Sequence, residues 1–250
     1  MLTREELAEG GMPDFTIGQK EKDYVQHWIL SHLSRSGFPG AFKGGTALQK
    51  AYNLPRYSED LDFTLGDAKM PDFDAMRRFL EASGFSGVEF KSERRAPSEK
   101  VKIRVRGPLY NGNPISICAV RMEFSLRENP LLPTKMAQIR PAYKDLLPYA
   151  VPVMDGKEMA AEKVRAVLTR ESARDIYDLY FLLRGGNLPG LWHINKKLEF
   201  YKIEFDFRAF EKKARALDKL YDVEMGKLAK RFVDFDTVLL GVLGEMKELK

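Results

Sequence analysis

The sequence is poor in the side chains that form disulfides and structural metal sites. It has one cysteine, Cys118, and three histidines among its 250 residues. An internal disulfide is therefore excluded, and a structural zinc site is not expected. No apolar run approaches the roughly 18 residues that span a bilayer, and the charged N-terminal stretch lacks the apolar segment of a signal peptide. These absences predict a cytoplasmic protein without a membrane-spanning segment.

The composition excludes intrinsic disorder and points to a polyanionic partner. Hydrophobic residues make up 44% and charged residues 31% of the chain, which is the balance of a folded protein. The net charge of +5 is unevenly spread: residues 91–106 carry seven basic and two acidic residues, and residues 196–231 carry eleven and seven. Two basic segments in an otherwise acidic chain are typical of polyanion binding, although solvated charged faces have the same composition.

The pattern of apolar residues changes near residue 150. Before it, helices and strands alternate, predicted at 18–36, 72–83, 87–91, 101–106 and 115–126, and a proline-rich irregular stretch follows. After it, helices are predicted at 157–170 and 173–183, with residues 196–249 helical almost throughout. We therefore predict a mixed α/β domain at 1–150 and an all-helical domain at 151–250.

A pair of aspartates marks the candidate site. The segment 58–65 reads SEDLDFTL; as a strand, it directs its apolar residues to one face and Asp60 and Asp62 to the other. Two carboxylates about 6.5–7 Å apart along a strand repel each other unless a cation lies between them. Mg²⁺ takes oxygen ligands and shares them with substrate phosphates. The segment thus predicts a Mg²⁺ site for phosphoryl-transfer chemistry.

A glycine pair lies upstream of the aspartates. Lys43, Gly44, Gly45 and Thr46 precede a helical stretch, ALQKAY. Two glycines at the start of a helix let backbone N–H groups approach an anion closely. Either feature alone is more typical of an ordinary turn or a solvated carboxylate pair, but their order favours a site for a nucleoside triphosphate at residues 43–46.

These runs resemble a known family. KGGTAL at 43–48 and RYSEDLDF at 56–63 resemble the first motif of the AbiEii/AbiGii-type toxins, which are nucleotidyltransferases. EKVRA at 162–166 and RDIYDLY at 174–180 resemble the helical motifs of the same family, in the same order. The resemblance implies an α+β fold, in which a DNA polymerase β-like nucleotidyltransferase domain with a small mixed sheet precedes an all-helical domain that completes the active-site cleft.

The resemblance also implies an activity and partners. Such proteins are toxins of two-gene toxin–antitoxin systems, and some members transfer a nucleotide from an NTP to the 3′ end of tRNA. Gly44 and Gly45 are then expected to bind nucleotide phosphates, and Asp60 and Asp62 to hold Mg²⁺. Ser58 is a further expected nucleotide-site residue. It also matches a serine that is phosphorylated in some members, which implies a regulatory kinase besides a cognate antitoxin. A phosphate there adds a charge of about −2 beside the metal site.

A third carboxylate is expected on a neighbouring strand, because this chemistry usually employs a general base beside the metal ligands. Glu123, in VRMEFSL, is the candidate for this third carboxylate and metal ligand. An exposed strand glutamate beside Arg121 is the alternative interpretation.

The helical motifs supply further candidates. Lys163 lies at the edge of an apolar stripe, from which its ammonium can reach a cleft and compensate triphosphate charge. Arg174, Asp175 and Asp178 share one helix face within about 100°. Spacing alone favours a surface ion pair between Arg174 and Asp178. With the resemblance, we expect Asp178 to act with Lys163 in catalysis, and Arg174 and Asp175 to belong to the nucleotide site.

Other interpretations remain open. Residues 60–64 fit the Asp-x-Asp-x-Thr motif of haloacid-dehalogenase-like phosphatases, but the polar residues before Asp60 cannot form the buried strand which that nucleophile follows. A catalytically inactive module that binds nucleic acid or an antitoxin would explain the basic segments. A nucleotidyltransferase that modifies a protein or a small molecule would explain the motifs equally well.

Overall fold

The chain divides into two compact units. The structure, a computed structural model, describes residues 1–249, without the side chain of Arg95. The first unit comprises residues 1–53, 57–130 and 134–153. The second comprises the short stretches 54–56 and 131–133 together with the chain from Met154 onward.

One mixed sheet forms the centre of the first unit. Its strands are β1 (Ala41–Lys43), β2 (Asp60–Thr64), β3 (Ser86–Arg95), β4 (Ser98–Arg106), β5 (Cys118–Ser125), β6 (Lys135–Ile139) and β7 (Tyr149–Val153). The strand order is β3-β4-β5-β2-β1-β7-β6. The pairs β2–β5 and β1–β7 are parallel, and the other neighbouring strands are antiparallel. The predicted mixed sheet of an α+β fold is confirmed.

Alternating apolar residues build the core face of this sheet. Phe63 on β2 stacks on Phe124 of β5, with ring centroids 5.5 Å apart, and contacts Phe42 of β1 at 5.2 Å. Val101 and Ile103 continue the buried face on β4. The opposite face of β2, β4 and β5 carries their polar side chains, as the alternation predicts.

Four helices belong to the first unit: α1 (Arg4–Glu9), α2 (Ile17–Arg35), α3 (Gly44–Tyr52) and α4 (Phe73–Ala82). Thr16 and Gln19 form a capping box at the start of α2, which satisfies two backbone donors. Helix α2 packs against β5 and β7, and α4 packs against β3. Helix α3 begins directly at the end of β1, so the glycine pair lies at a strand-to-helix junction.

The second unit is helical in its long segment. Its helices are α5 (Gly156–Thr169), α6 (Ala173–Arg184), α7 (Leu191–Leu198), α8 (Phe207–Ala216), α9 (Asp218–Leu228) and α10 (Phe235–Lys247). Among the described residues, no helix is both long and apolar enough to cross a membrane.

The stretch 131–133 is bound to this helical unit by a buried carboxylate. Glu158 accepts hydrogen bonds from the backbone N–H groups of Leu131 and Leu132, both at 2.9 Å. The same carboxylate pairs with the Nζ of Lys197 at 2.6 Å, and neither side chain is exposed. The backbone N–H groups of this stretch are thereby hydrogen-bonded inside the unit.

Three strands depart from the sequence prediction. The proline-rich stretch before residue 153 was predicted to be irregular, but it contains β6 and β7, and the three-residue β1 was not predicted. Strand β6 is a mostly exposed edge strand and so lacks an apolar alternation. Pro152 is tolerated within β7 because the register between β1 and β7 is limited to Phe42 and Val153.

Candidate active site

The two aspartates lie on one face of β2. Asp60 and Asp62 are half-buried, whereas Leu61 and Phe63 between and beyond them are buried. Ser58 lies just before the strand, where its carbonyl accepts a hydrogen bond from Gln26 Nε2 at 3.2 Å. The alternation predicted from SEDLDFTL is therefore present from Asp60 to Phe63, and Thr64 after them is buried as well.

The glycine at the start of α3 is adjacent to the second aspartate. Gly44 has a φ of +74°, a conformation that side chains other than glycine rarely adopt. A Cβ at Gly44 would also collide with Oδ2 of Asp62. The chain therefore needs glycine at this position for two reasons, and the carboxylate of Asp62 lies against the first turn of α3.

The remaining residues of this motif are ordered around the same junction. Lys43 on β1 is the antiparallel partner of Asp62, so both side chains project from one face of the sheet. Gly45 and Thr46 are buried in the first turn of α3. The Thr46 hydroxyl donates to the backbone carbonyl of Asp60 at 2.5 Å and so ties this turn to β2.

Glu123 lies beside Asp62 in the sheet. The two residues are register partners in the parallel pair β2–β5, which places both carboxylates on the same face. Glu123 Oε2 also forms an ion pair with Lys100 Nζ on β4 at 3.2 Å. Glu123 is therefore next to Asp62 on the neighbouring strand, and its role as a third carboxylate stays a prediction. Within residues 1–249 no group of three or more His, Cys, Asp or Glu side chains is arranged to hold a metal ion.

Asp60 has a cationic partner on the neighbouring strand. Arg121 is its register partner on β5 and donates from Nε to Oδ1 at 2.9 Å and from its terminal nitrogen to Oδ2 at 3.3 Å. The hydrogen bond with Asp60 raises the pKa of Arg121 above its usual value. Because both side chains are substantially exposed, this pair contributes little to stability.

The helical unit contains a cluster of charges that are buried except for the exposed Arg170. Lys163 Nζ contacts Asp175 Oδ1 at 2.9 Å and Asp178 Oδ2 at 2.6 Å. Arg56 forms a two-point ion pair with Asp178, both contacts at 2.6 Å, and Arg170 forms a similar pair with Asp175 at 2.7 and 2.8 Å. We call these five residues the ion cluster. Its three cations and two carboxylates leave it with one net positive charge.

Opposite charges overcome the cost of burial in this cluster. Burial alone would raise the pKa of Asp178, but Arg56 and Lys163 hold it below its usual value. Burial would also raise the pKa of Asp175, but Lys163 and Arg170 lower it strongly. Burial would lower the pKa of Lys163, yet the two aspartates raise it. All three groups are therefore charged at neutral pH.

Within the described part of the chain, the Arg174 side chain is not among the cations that pair with Asp175 and Asp178. The residue is exposed, and its backbone N–H donates to Glu224 Oε2 at 3.4 Å. The surface ion pair that spacing alone favoured is not the pair that forms, because Asp178 is buried with Arg56 and Lys163. The i,i+4 spacing was a poor guide here, since partners from elsewhere in the chain neutralise Asp178.

The sequence pattern predicts no role for Arg56. It is 3% exposed and supplies the two-point contact to Asp178. Its position in RYSEDLDF belonged to the resemblance, but no local pattern connects it with a helix more than a hundred residues later. The charge balance was a weak indication of such a residue, because two aspartates buried on one helix need more than a single lysine to neutralise them.

Comparison with known proteins gives the class of this protein, the nucleotidyltransferases. The family model described as "Nucleotidyl transferase AbiEii toxin, Type IV TA system" matches residues 28–239. The chain therefore belongs to the AbiEii nucleotidyltransferase toxin family, as the motifs predicted. No curated protein matches this sequence.

Solved structures show the same fold. MenT4, a nucleotidyltransferase toxin from Mycobacterium tuberculosis H37Rv, superposes with a TM-score of 0.60 at 21% identity and covers 100% of this chain and 91% of its own. JHP933 from Helicobacter pylori gives 0.61 at 19% identity, with 90% and 89% covered. A putative nucleotidyltransferase from H. pylori gives 0.61 at 20%, with 90% and 92% covered. At these identities the likeness establishes the fold alone.

Proposed function

We propose that this protein is a toxin that transfers a nucleotide from an NTP to an acceptor hydroxyl, with the 3′ end of tRNA as the acceptor. Membership of the AbiEii family supports nucleotidyl transfer. The observation that carries the proposal is the contact between the Asp62 carboxylate and Gly44 at the first turn of α3, with Asp60 on the same strand face. The cytoplasm is the proposed place of action.

The donor set fits Mg²⁺. Asp60, Asp62 and Glu123 offer hard carboxylate oxygens on one face of the sheet, and the missing Cβ of Gly44 lets the Asp62 carboxylate lie against the first turn of α3. Mg²⁺ usually takes one or two carboxylates plus substrate phosphates instead of an all-protein cage, so Asp60 and Asp62 would hold it and Glu123 would be a third ligand or the general base. When bound, the ion neutralises the attacking and leaving oxygens.

The nucleotide would be held by the start of α3. The amides of Gly44 and Gly45 lie at the N-terminus of a nine-residue helix, where a phosphate is favoured by the free N–H groups and the helix dipole. Lys43 and Thr46 flank them and would add a charge and a hydroxyl.

The helical motifs of the family support a role in transfer for residues of the ion cluster. Lys163 would compensate the triphosphate charge that develops during transfer. Asp178 would orient that ammonium, as its 2.6 Å contact supports. Asp175 and Arg174 are the remaining proposed nucleotide-site residues, and the exposed guanidinium of Arg174 suits a phosphate contact.

Regulation would act on the first motif. Ser58 is half-buried and lies two residues before Asp60, so its phosphorylation by a kinase would introduce negative charge beside the proposed metal ligands. A cognate antitoxin is the second proposed regulatory partner.

A catalytically inactive binding module is the second candidate function. It is favoured by the ion pairs that Asp60 makes with Arg121 and Glu123 makes with Lys100, because carboxylates neutralised by protein cations can lie beside a polyanion. Transfer onto a protein or a small molecule remains a variant of the first proposal.

Incubation with each of the four labelled NTPs, Mg²⁺ and total tRNA tests the proposal. We expect label on tRNA with the wild type and none with Asp60→Ala, whose exposed ion pair makes it a mild change for the fold. Label on a protein or small-molecule acceptor instead would change the substrate class. Bound tRNA without label transfer to any acceptor would favour the inactive module.

A further inference from the structure

Three cations lie in a single register across the polar face of the sheet. Lys91 on β3 is paired with Lys102 on β4, Lys102 with Arg121 on β5, and Arg121 with Asp60 on β2. Register partners project from the same face, and neighbouring strands lie about 4.8 Å apart. We call Lys91, Lys102 and Arg121 the basic row. It is a line of positive charge that ends at a proposed metal ligand.

This row is unusual for the sheet that contains it. All three side chains are exposed, and among residues 1–249 neither lysine of the row forms an ion pair with a carboxylate. Other positions on this face combine opposite signs: Arg104 pairs with Glu89 at 3.2 Å, and Lys100 pairs with Glu123. Like charges directly opposite each other destabilise a sheet, but the same row becomes favourable when a polyanion lies along it.

The length of the row exceeds that of a triphosphate. Lys102 and Lys91 lie roughly 10 and 14 Å from Asp60, counted in strand spacings. Those positions lie beyond a triphosphate bound between Gly44 and the aspartates, and they match a longer chain of phosphates. A single-stranded nucleic acid, which carries one negative charge per nucleotide and binds in positively charged grooves, has this chemistry.

We propose that the basic row binds the backbone phosphates of the acceptor's single-stranded 3′ end and directs its terminal hydroxyl towards Asp60. The inference rests on the proposed function and adds the acceptor's route to it. Of the cations on β4, Lys102 belongs to the route. Arg104 is paired with Glu89, and Arg106 lies over the ring of Tyr110 at 5.1 Å. Arg121 is a positioning residue at the end of the row.

The salt dependence of RNA binding tests this route. The probe is a fluorescent single-stranded RNA of about 12 nucleotides with a free 3′ hydroxyl, within the range of such binding sites, titrated by anisotropy at several KCl concentrations. The double variant Lys91→Ala/Lys102→Ala should reduce the slope of log K against log salt by about 1.4, because each lost phosphate contact contributes about 0.7 for a single strand. Lys91→Arg/Lys102→Arg should restore the wild-type slope.

The matched control removes the same charge from the other side of the sheet. Arg94 on β3 is exposed and alternates to the face opposite Lys91, and Arg78 is exposed on α4, which packs against β3. Arg78→Ala/Arg94→Ala should leave the slope unchanged. An equal loss in this control, or an unchanged slope in the row variant, would overturn the proposal.

Nucleotide binding and transfer separate this inference from the proposed function. The row variant should bind a non-hydrolysable NTP analogue like the wild type. If the wild type transfers nucleotides to RNA while the row variant keeps the full salt slope, the route is wrong and the function stands. If the slope falls as expected but no acceptor is labelled by the wild type, the row stands as an RNA-binding surface and the transfer reaction is wrong.

Discussion

At the scale of single residues, Gly44 is the position where both the backbone conformation and a candidate site residue require glycine. Its φ of +74° and the carboxylate of Asp62 both exclude a side chain. Gly44→Ala should therefore displace Asp62 or the first turn of α3 and weaken binding of an NTP analogue by about tenfold or more, the equivalent of 1.4 kcal/mol or more. Titration calorimetry measures this change.

Gly18 provides the matched control for that substitution. It is exposed in α2, and a Cβ there would contact nothing within 4 Å. Gly18→Ala should leave nucleotide affinity unchanged and stabilise the helix by up to about 1 kcal/mol. An equal loss of affinity in both variants would show that Gly44 has no special role.

Asp178 is the residue whose removal should cost most stability in the ion cluster. Asp178→Asn leaves Arg56 and Lys163 buried without one of their carboxylates, so we expect the free energy of unfolding to fall by roughly 3 kcal/mol. Urea denaturation at neutral pH measures it. Glu211→Gln removes a carboxylate from an exposed i,i+4 pair with Arg215, and should change stability by only about 0.5 kcal/mol or less. Similar values for both variants would contradict the cluster's stabilising role.

The pH dependence of this cluster follows from its lowered pKa values. Asp175 and Asp178 have pKa values below those of the unfolded chain. Their contribution to the free energy of unfolding is therefore complete above the pKa of an aspartate in the unfolded chain, about 3.9. It is lost as the pH falls through the lowered folded values. The cluster therefore holds its charges across the whole physiological range.

At the scale of elements, helix α2 is tied to its neighbours by a buried polar cluster. Asp23 accepts hydrogen bonds from Lys50 at 2.5 Å and from Tyr143 at 2.8 Å. His27, one turn further along, contacts the Tyr149 hydroxyl through Nδ1 at 2.7 Å. Burial and the charge of Lys50 lower the pKa of His27 to about 3.

This histidine predicts a loss of stability in moderate acid. Between the unfolded pKa of about 6.5 and the folded value of about 3, the unfolded chain binds a proton that the folded chain does not. Stability should therefore fall as the pH drops from 6.5, by up to about 1.4 kcal/mol per pH unit from His27. Urea denaturation at several pH values should show a shallower slope for His27→Gln. Equal slopes would contradict the prediction.

Elements with strong periodicity could be predicted from the sequence, and those held by tertiary context could not. The segments predicted at 72–83, 101–106 and 115–126 agree with α4, β4 and β5 to within three residues. Strand β6 has no apolar alternation, and β1 has three residues, so neither carries a local signal. Their pairing depends on partners that the local sequence does not specify.

The candidate site divides in the same way. The Asp60–Asp62 pair and the glycine junction follow from local spacing, which a strand and a helix start translate directly into geometry. The position of Glu123 beside Asp62 needed the strand register. Arg56 and the pair between Asp60 and Arg121 depend on contacts across long stretches of sequence, and no periodicity encodes them.

At the scale of the whole molecule, the two short stretches 54–56 and 131–133 make the helical unit discontinuous in sequence. Each stretch supplies partners that the chain after Met154 does not contain. Arg56 neutralises the buried Asp178, and the amides of Leu131 and Leu132 satisfy the buried Glu158.

The gene therefore cannot be divided by one cut into two autonomous halves. A fragment of residues 154–250 would keep Lys163 beside Asp178 and Lys197 beside Glu158, but it would lose Arg56 and the amides of Leu131 and Leu132. With these hydrogen bonds unmade at buried carboxylates, we expect its circular dichroism to show far less helix than its share of the intact chain. A fragment that melts cooperatively with full helical signal would contradict this. We expect deletion of either stretch to abolish the proposed nucleotidyl transfer by unfolding the helical unit around Lys163, although the aspartates on β2 would be unchanged.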